Sequence, residues 1–246
     1  MQVDELLARP FAHRGLHFDG CPENSLAAFD AAIDAGLGIE LDVRLSAEGT
    51  PVVFHDADLL RGCGLEARVS QMPVRELCRL PLHGTTDTIP TLVSAMHTIG
   101  GRTPVLVDLK GAIGQRARLA DAAAILLRAY PGPVGVVGFD PWLLTAMRRR
   151  APRLLRGHTC SIETWSSRLS TPDFMTFNID RVPVATIAKM RRRMPVVAWT
   201  VRTVEAYRLA GELADGVIVE GDAATLAAHR MFGERSHRRH KETRVG

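Results

Sequence analysis

Short apolar segments alternate with longer segments of helical periodicity along most of the chain, and no other feature restricts the fold as strongly. The apolar segments read PFAH, GIELDV, PVLVDL, PVGVVGF, RLLRGH, FMTFNI, PVVAWTV and GVIVE. Between most of them, as in SLAAFDAAIDAG and PWLLTAMRRR, apolar residues recur at the spacing of one helix face. Strands connected by crossover helices pair in parallel, so the sequence predicts an α/β fold.

Signals for helix ends support this pattern. Asn24 is a candidate N-cap for the first long helix, and Gly36 is a candidate terminator. Asp140 followed by Pro141 is typical of a helix start, and Thr203 precedes another.

Eight strands in 246 residues favour a closed (β/α)8 TIM barrel. A doubly wound open sheet is the alternative, but no G-x-G-x-x-G follows the first strand, as a dinucleotide-binding fold would require. We expect one domain over residues 1–232. Residues 233–246 form a basic tail without apolar periodicity, for which we expect disorder.

One segment departs from the alternation. In GIELDVRLSAEGTPVVFHD, two strand-like runs flank a short Glu-Gly-Thr turn, which predicts a hairpin excursion after strand 2. If IELDV runs toward the C-terminal rim of the barrel, the second run returns to that rim. His55 is then expected near the residues that end strands one and two.

Charge and cysteine content bear on partners and location. Lys and Arg number 31 against 27 Asp and Glu, and much of the excess lies in MRRR, KMRRR and the tail. The internal clusters fall at predicted helix C-termini, where cations are favoured, so we expect a solvated surface and no nucleic-acid partner.

The four cysteines form no C-x-x-C pair and are expected to be reduced thiols. With neither a signal peptide nor a membrane-spanning run in the sequence, we expect a cytoplasmic location.

Carboxylates and cations collect where strands end. Glu40 and Asp42 are two residues apart and should share one face of a strand, and Asp108 and Lys110 repeat this spacing one barrel strand later. Each pair alone is commonly an exposed alternation. At the C-terminal rim of consecutive barrel strands, however, three carboxylates would suit a hard divalent cation, Mg²⁺ or Ca²⁺.

The order of these motifs resembles the glycerophosphodiester phosphodiesterase family, whose fold is a TIM barrel of the phosphatidylinositol-phosphodiesterase type. The resemblance extends from about Pro10 to Gly221 and is densest before His55. The residues that carry it are His13-Arg14-Gly15, Pro22-Glu23-Asn24, Glu40-x-Asp42, Gly49, Val53-Phe54-His55-Asp56, Pro90-Thr91-Leu92, Asp108-x-Lys110, Trp199-Thr200 and Asp215-Gly216-Val217-Ile218.

The resemblance implies a phosphoric diester hydrolase of lipid metabolism that releases glycerol 3-phosphate and an alcohol with the help of a divalent cation. By position, His13 and His55 match the catalytic pair, and Arg14 and Lys110 match the phosphate-binding residues. Glu40, Asp42 and Asp108 match the metal ligands. The family usually has glutamate at the third ligand position, and Asp108 shortens that reach by one methylene, which bears on metal affinity and choice.

Within the mechanism this implies, we assign His13 as base and His55 as acid by analogy. Either water or the substrate's own 2-hydroxyl is the nucleophile. Trp199 is a candidate substrate contact near a strand end, and Phe139 is another candidate for the pocket wall. The segment from His55 to Pro90 looks short for the family, which would leave the site open or change the substrate.

Two other functions stay open at this stage. One is a lipid-acting phospholipase on the same barrel, although no amphipathic or aromatic stretch suggests it. The other is a non-catalytic barrel that binds a phosphorylated ligand, with the basic tail as a second contact. A small-molecule diester is the expected partner, and the oligomeric state does not follow from the sequence.

Overall fold

The chain forms a barrel of parallel strands with helices on its outer surface. The computed structural model describes residues 1–112, 114–160 and 171–231. Its strands are Phe11–Ala12 (β1), Gly38–Leu45 (β2), Pro51–Val53 (β3), Asp58–Leu59 (β4), Leu65–Arg68 (β5), Val105–Leu109 (β6), Val134–Gly138 (β7), Leu155–Cys160 (β8), Phe174–Asn178 (β9), Val196–Val201 (β10) and Gly216–Val219 (β11).

Helices follow most of the barrel strands. They are Val3–Leu6 (α1), Leu26–Asp34 (α2), Leu60–Cys63 (α3), Val74–Leu77 (α4), Leu92–Ile99 (α5), Arg116–Leu127 (α6), Pro141–Arg150 (α7), Val184–Arg191 (α8) and Val204–Leu213 (α9). Residues 222–231 are also helical, and Val69–Gln71 form a 3₁₀ turn.

The sheet closes on itself, which confirms the predicted TIM barrel over the open alternative. Its strand order is β1-β11-β10-β9-β8-β7-β6-β2, and β1 also pairs with β2 in parallel. Because β1 has a parallel partner on each side, the ring of eight strands has no open edge at that position. The C-terminal ends of all eight strands therefore meet at one rim.

Alternation along the strands separates side chains that pack against the helices from those that face the barrel interior, except in β10, where the register shifts between Ala198 and Val201. In β2, Ile39, Leu41 and Val43 pack outward against the helices, so Glu40 and Asp42 point inward. In β6 the outward residues are Val105, Val107 and Leu109, which leaves Leu106 and Asp108 inside.

Apolar residues fill the N-terminal half of the barrel interior. Leu6 and Leu7, at the end of α1, pack against Phe11, Leu106 and other inward side chains. The layer consists of Leu6, Leu7, Phe11, Leu106, Val137, Phe174, Val197 and Ile218. Polar inward residues are therefore confined to the C-terminal half, where the barrel opens.

The predicted hairpin is present. β3 pairs with the end of β2 in antiparallel orientation, with Val53 opposite Val43. The chain then builds a small lobe from β4, α3, β5 and α4 around its own apolar core. That core consists of Val52, Phe54, Leu59, Val69, Leu77, Leu82 and Ile89. As expected, His55 returns to the C-terminal rim, and its carbonyl accepts a hydrogen bond from Arg44 Nε at 2.7 Å.

Three of the four predicted helix-end signals are confirmed. Asp140 accepts hydrogen bonds from the Trp142 and Leu143 amides, and Thr203 accepts one from Ala206. Gly36 follows α2 with a φ of 77°, the left-handed conformation that glycine favours. The predicted cap at Asn24 is wrong. Ser25 caps α2 by accepting from the Ala28 amide, because Asn24 is occupied by Asp42.

The arginine clusters and the cysteines lie as the sequence predicts. The arginine clusters lie in the last turns of α7 and α8, as predicted. The four cysteines are free thiols. Among the described residues, no helix is both long and apolar enough to cross a bilayer. The predicted tail, residues 233–246, lies outside the described residues.

Candidate active site

Three inward carboxylates meet at the C-terminal end of β2 and β6. Asp42 lies opposite Asp108 in the parallel register, and Glu40 lies one inward position deeper on β2. One carboxylate oxygen of each residue lies within 4.8 Å of the others, and all three side chains are buried. The predicted ligand set therefore forms one cluster, and aspartate at position 108 still reaches it.

The electrostatics of this cluster favour a cation. Burial is the largest cause that raises the pKa of Glu40 well above its ordinary value, and the charges of Asp42 and Asp108 raise it further. Burial likewise raises the pKa of Asp108. Asp42 behaves differently: burial raises its pKa, but Lys110 and Arg14 outweigh this effect and lower it to about 2.

The cluster also fits a metal ion by its donor set. Asp108 Oδ1 is buried and has no hydrogen-bond partner among the residues that the structure describes. A buried carboxylate oxygen normally has a partner, so this atom marks a position for a cation. Oxygen ligands alone are typical of hard divalent ions such as Mg²⁺ and Ca²⁺.

Lys110 lies beside the cluster, immediately after β6. Its Nζ lies 2.6 Å from Asp108 Oδ2 and 3.2 Å from Asp42 Oδ1. Burial would lower the pKa of Lys110, but these carboxylates raise it above its ordinary value, so the ammonium stays charged. Lys110 thus places a fixed positive charge at the edge of the cavity.

Arg14 occupies the tight turn after β1. The backbone of Arg14 has a φ of 57°, and its amide donates to Glu40 Oε2 at 3.1 Å. Its Nη1 donates to both oxygens of Glu23, and its Nε lies 3.2 Å from Asp42 Oδ2. The next residue must be small: a Cβ on Gly15, where φ is 80°, would lie 2.8 Å from Ala28 Cβ.

Each of the two predicted catalytic histidines has a carboxylate behind it. His13 Nδ1 lies 2.7 Å from Glu220 Oε2, and His55 Nδ1 lies 2.6 Å from Asp56 Oδ1. The hydrogen bond from His13 is the largest cause that lowers the pKa of Glu220 to about 2, so this carboxylate is ionised. With Nδ1–H donated to a carboxylate, Nε2 of each ring is assigned as the atom available to a substrate.

The surroundings of His55 affect its proton affinity. Burial is the largest cause that lowers its pKa, and it outweighs the opposing charge of Asp42. The imidazolium form of His55 is therefore a stronger proton donor than an exposed histidine.

One cavity of about 250 Å³ connects most of these groups. Seven of the eight predicted site residues line it, and Asp42 lies just beneath, 1% exposed, between Arg14 and Lys110. The lining comprises His13, Arg14, Glu40, His55, Asp108, Lys110, Val137, Phe139, Thr159, Thr176, Trp199, Thr200, Arg202 and Ile218.

Aromatic side chains form one wall. Phe139 and Trp199 pack edge to face with centroids 5.8 Å apart, and Lys110 Nζ lies 5.9 Å from the Phe139 ring. Phe18, Phe139 and Trp142 are each more than half exposed, and all three follow the C-terminal ends of barrel strands or begin the next helix. The rim thus carries apolar surface that no continuous stretch of the sequence revealed.

Four partners of the site were missed or assigned another role in the sequence. Asn24 donates from Nδ2 to Asp42 Oδ2 at 3.0 Å and accepts from the Asp42 amide. Glu220, Asp56 and Arg61 were not predicted to hold other side chains. A signal did exist for Asp56, which directly follows His55, but nothing local relates Glu220 to His13. Glu23 holds Arg14 through an ion pair.

The chain is a TIM barrel with a buried carboxylate cluster, an arginine, a lysine and two histidines at its C-terminal rim. The model of the glycerophosphoryl diester phosphodiesterase family matches residues 13–221, and this range includes all of these groups. The chain belongs to this family of phosphoric diester hydrolases.

The chain is also similar to individual proteins and to solved structures. A glycerophosphodiester phosphodiesterase of Caldanaerobacter subterraneus is 27% identical over 231 residues, which are 87% of this chain and 94% of the relative. The structure of an Oleispira antarctica phosphodiesterase, in complex with the product sn-glycerol-3-phosphate, superposes with a TM-score of 0.85 at 24% identity, over 94% of this chain and 100% of that one. A lysophospholipase D of Rattus norvegicus is 32% identical over 117 residues, 42% of this chain and 37% of the relative.

Proposed function

We propose that this chain hydrolyses glycerophosphodiesters to glycerol 3-phosphate and an alcohol, with a divalent cation held by Glu40, Asp42 and Asp108. One observation supports the proposal: two histidines that each contact a carboxylate, the cationic side chains of Arg14 and Lys110, and a carboxylate cluster suited to a metal all meet at one cavity. A phosphodiester needs these groups because its anionic oxygens repel a nucleophile and its alkoxide is a poor leaving group.

Arg14 and Lys110 bind the phosphate oxygens in this proposal. An arginine guanidinium can donate hydrogen bonds to two phosphate oxygens at once. Lys110 contributes a point charge from the opposite side of Asp42. When bound, the cation would act as a Lewis acid toward the same phosphoryl group. Charge that develops on the phosphoryl oxygens is stabilised by groups already in place, which is the kind of stabilisation that usually contributes most to catalysis.

His13 and His55 move the protons. His13 accepts the proton of the attacking hydroxyl at Nε2, and the ionised Glu220 stabilises the resulting imidazolium through Nδ1. His55 donates a proton from Nε2 to the leaving alkoxide, a role that suits its lowered pKa. Proton transfer by a positioned side chain typically contributes about 10² to 10⁴ in rate.

The nucleophile is water or the substrate's own 2-hydroxyl. Attack by the 2-hydroxyl would form a cyclic glycerophosphate that a second step opens. Rapid quench of a single turnover, followed by ³¹P NMR, distinguishes the routes: a transient cyclic ester supports internal attack, and direct appearance of glycerol 3-phosphate supports water.

The exposed apolar rim favours one second candidate, a phosphodiesterase that acts on lysophospholipids. Phe18, at 64% exposure, and Trp142, at 56%, lie outside the cavity lining and offer apolar surface to an acyl chain. The comparison is kcat/KM for glycerophosphocholine against lysophosphatidylcholine, for the wild type and a Phe18→Ser, Trp142→Ser double variant. Loss confined to the lysophospholipid would support the second candidate, and higher kcat/KM for the soluble diester in both proteins would support the first.

A further inference from the structure

Arg61 joins two carboxylates at the rim of the cavity. This arginine belongs to α3 of the small lobe, outside the barrel. Its Nη2 lies 2.6 Å from Glu23 Oε1 and its Nη1 lies 3.1 Å from Glu23 Oε2. The Nε of the same guanidinium lies 2.5 Å from Asp56 Oδ2. All three donor positions of the fork are therefore used at once.

Each of these carboxylates holds a residue of the proposed reaction with its other contacts. Glu23 accepts from Arg14 Nη1 at 3.0 and 3.1 Å, and Asp56 lies 2.6 Å from His55 Nδ1. The hydrogen bond and charge of Arg61 are among the causes that hold the pKa of both Glu23 and Asp56 below their ordinary values. Arg61 thus favours the ionised form of both carboxylates and restricts the direction in which each points.

The geometry explains why one arginine is needed at this position. Asp42 holds one side of the Arg14 guanidinium and Glu23 holds the other, so a displaced Glu23 would free one side of the group. Glu23 precedes α2 in a loop, and Asp56 follows β3 in another, so each carboxylate depends on a partner to restrict its rotamers. A planar guanidinium fork spans both carboxylates, whereas a lysine ammonium would act as a single point charge.

We propose that Arg61 is a positioning residue that fixes the phosphate-binding Arg14 and the proton donor His55 together, through Glu23 and Asp56. In this proposal the small lobe contributes a positioning residue to the site, although the lobe lies outside the barrel. It rests on the proposed function for the roles of Arg14 and His55. Isolated surface ion pairs contribute little, but a network with bidentate geometry is the case in which such contacts matter.

The first test uses binding, so that it does not depend on turnover. Calorimetry measures the dissociation constant of Mg²⁺ with the EDTA-treated protein, and that of glycerol 3-phosphate with the Mg²⁺-loaded protein, for the wild type, Arg61→Ala and Arg61→Lys. We expect Arg61→Ala to weaken glycerol 3-phosphate binding by about 10- to 100-fold, by analogy with the loss on removing a residue that orients a metal ligand. Metal affinity should change by less than about threefold, because Arg61 does not touch the three carboxylates of the cluster.

Arg61→Lys should recover only part of the loss. The matched control is Arg75→Ala, since Arg75 lies in the same lobe, is 79% exposed and pairs only weakly with Glu76 at 3.7 Å. We expect the control to bind as the wild type does. A merely structural role for Arg61 would lower the melting temperature but leave the affinity of the folded protein for glycerol 3-phosphate unchanged, and that outcome would overturn the proposal.

A double-mutant cycle provides the second test. If Arg61 acts through Glu23, Arg61→Ala should cost about 10-fold or more in the wild type but less than about threefold in a Glu23→Gln background. Equal losses in both backgrounds would contradict the proposal. Should the wild type bind glycerol 3-phosphate but hydrolyse no diester, the proposed function fails, whereas the binding cycle still decides the role of Arg61.

Discussion

His13 Nδ1 lies 2.7 Å from Glu220 Oε2, although the two residues are 207 positions apart. Both follow neighbouring strands, β1 and β11, and the contact exists because these strands pair at the closure of the barrel. The carboxylate orients one histidine of the proposed reaction and fixes its tautomer. The strand pairing that closes the barrel therefore also brings His13 and Glu220 together.

Replacement of either histidine should lower turnover of glycerophosphocholine without unfolding the chain, because neither side chain belongs to the apolar core. We expect His13→Ala to lower kcat by about 10² to 10⁴ for any diester, since the attacking hydroxyl always loses a proton. Circular dichroism and melting temperature serve as the controls for folding.

The basicity of the leaving group distinguishes the proposed roles of His13 and His55. His55→Ala should cost about 10² or more with glycerophosphocholine but much less with a glycerophosphodiester of p-nitrophenol, because a nitrophenolate leaves without protonation. His13→Ala should cost the same with both. The reverse pattern would exchange the acid and base assignments, and equal losses in both variants would contradict a dedicated proton donor.

Glu220→Gln tests the carboxylate behind His13 through pH. The pKa of Glu220 is lowered to about 2, so the unfolded chain binds more protons at this position at moderately acidic pH, and stability rises with pH there. The stabilisation is complete above about pH 5 and is lost as the pH falls toward about 2. Chemical denaturation should therefore show that the difference between wild type and Glu220→Gln shrinks on acidification. A difference independent of pH would argue against an ionised Glu220.

Removal of one carboxylate should separate stability from metal binding. In EDTA, Glu40→Gln should match or exceed the wild type in free energy of unfolding, because it relieves repulsion by Asp42 and Asp108. Saturating Mg²⁺ should stabilise the wild type, by about 2.7 kcal/mol at a hundredfold excess over Kd, but not this variant. Glu66→Gln, at an exposed position, is the control. Equal stabilisation of both proteins by Mg²⁺ would place the metal elsewhere.

Asn24 is expected to be essential for the geometry of Asp42. Asn24→Ala removes two hydrogen bonds to a buried carboxylate residue and should cost about 1 to 3 kcal/mol in free energy of unfolding. Asn24→Gly relieves the strain of a φ of 58° but lacks the same bonds, so it separates the two effects. If the glycine variant is as stable as the wild type, the hydrogen bonds are not what matters.

The parts of this molecule that follow from local pattern were predictable from the sequence. The eight strands, the hairpin that returns His55 and the facing of Glu40 and Asp42 all depend on periodicity and turn chemistry, and the structure agrees with each. The prediction for Asn24 was wrong because the sequence alone does not show whether an asparagine before a helix caps that helix or hydrogen-bonds a carboxylate far away in the chain. Glu220 and Arg61 were missed because their partners become neighbours only when the barrel closes and the lobe folds back.

Metal-dependent release of glycerol 3-phosphate from glycerophosphocholine is the decisive assay for the proposed hydrolysis. The purified chain is treated with EDTA, and Mg²⁺ or Ca²⁺ is then restored, with His13→Ala assayed in parallel. We expect no release in EDTA, recovery with at least one of the two ions, and no recovery in His13→Ala. Full release in EDTA, or an active His13→Ala protein, would contradict this expectation.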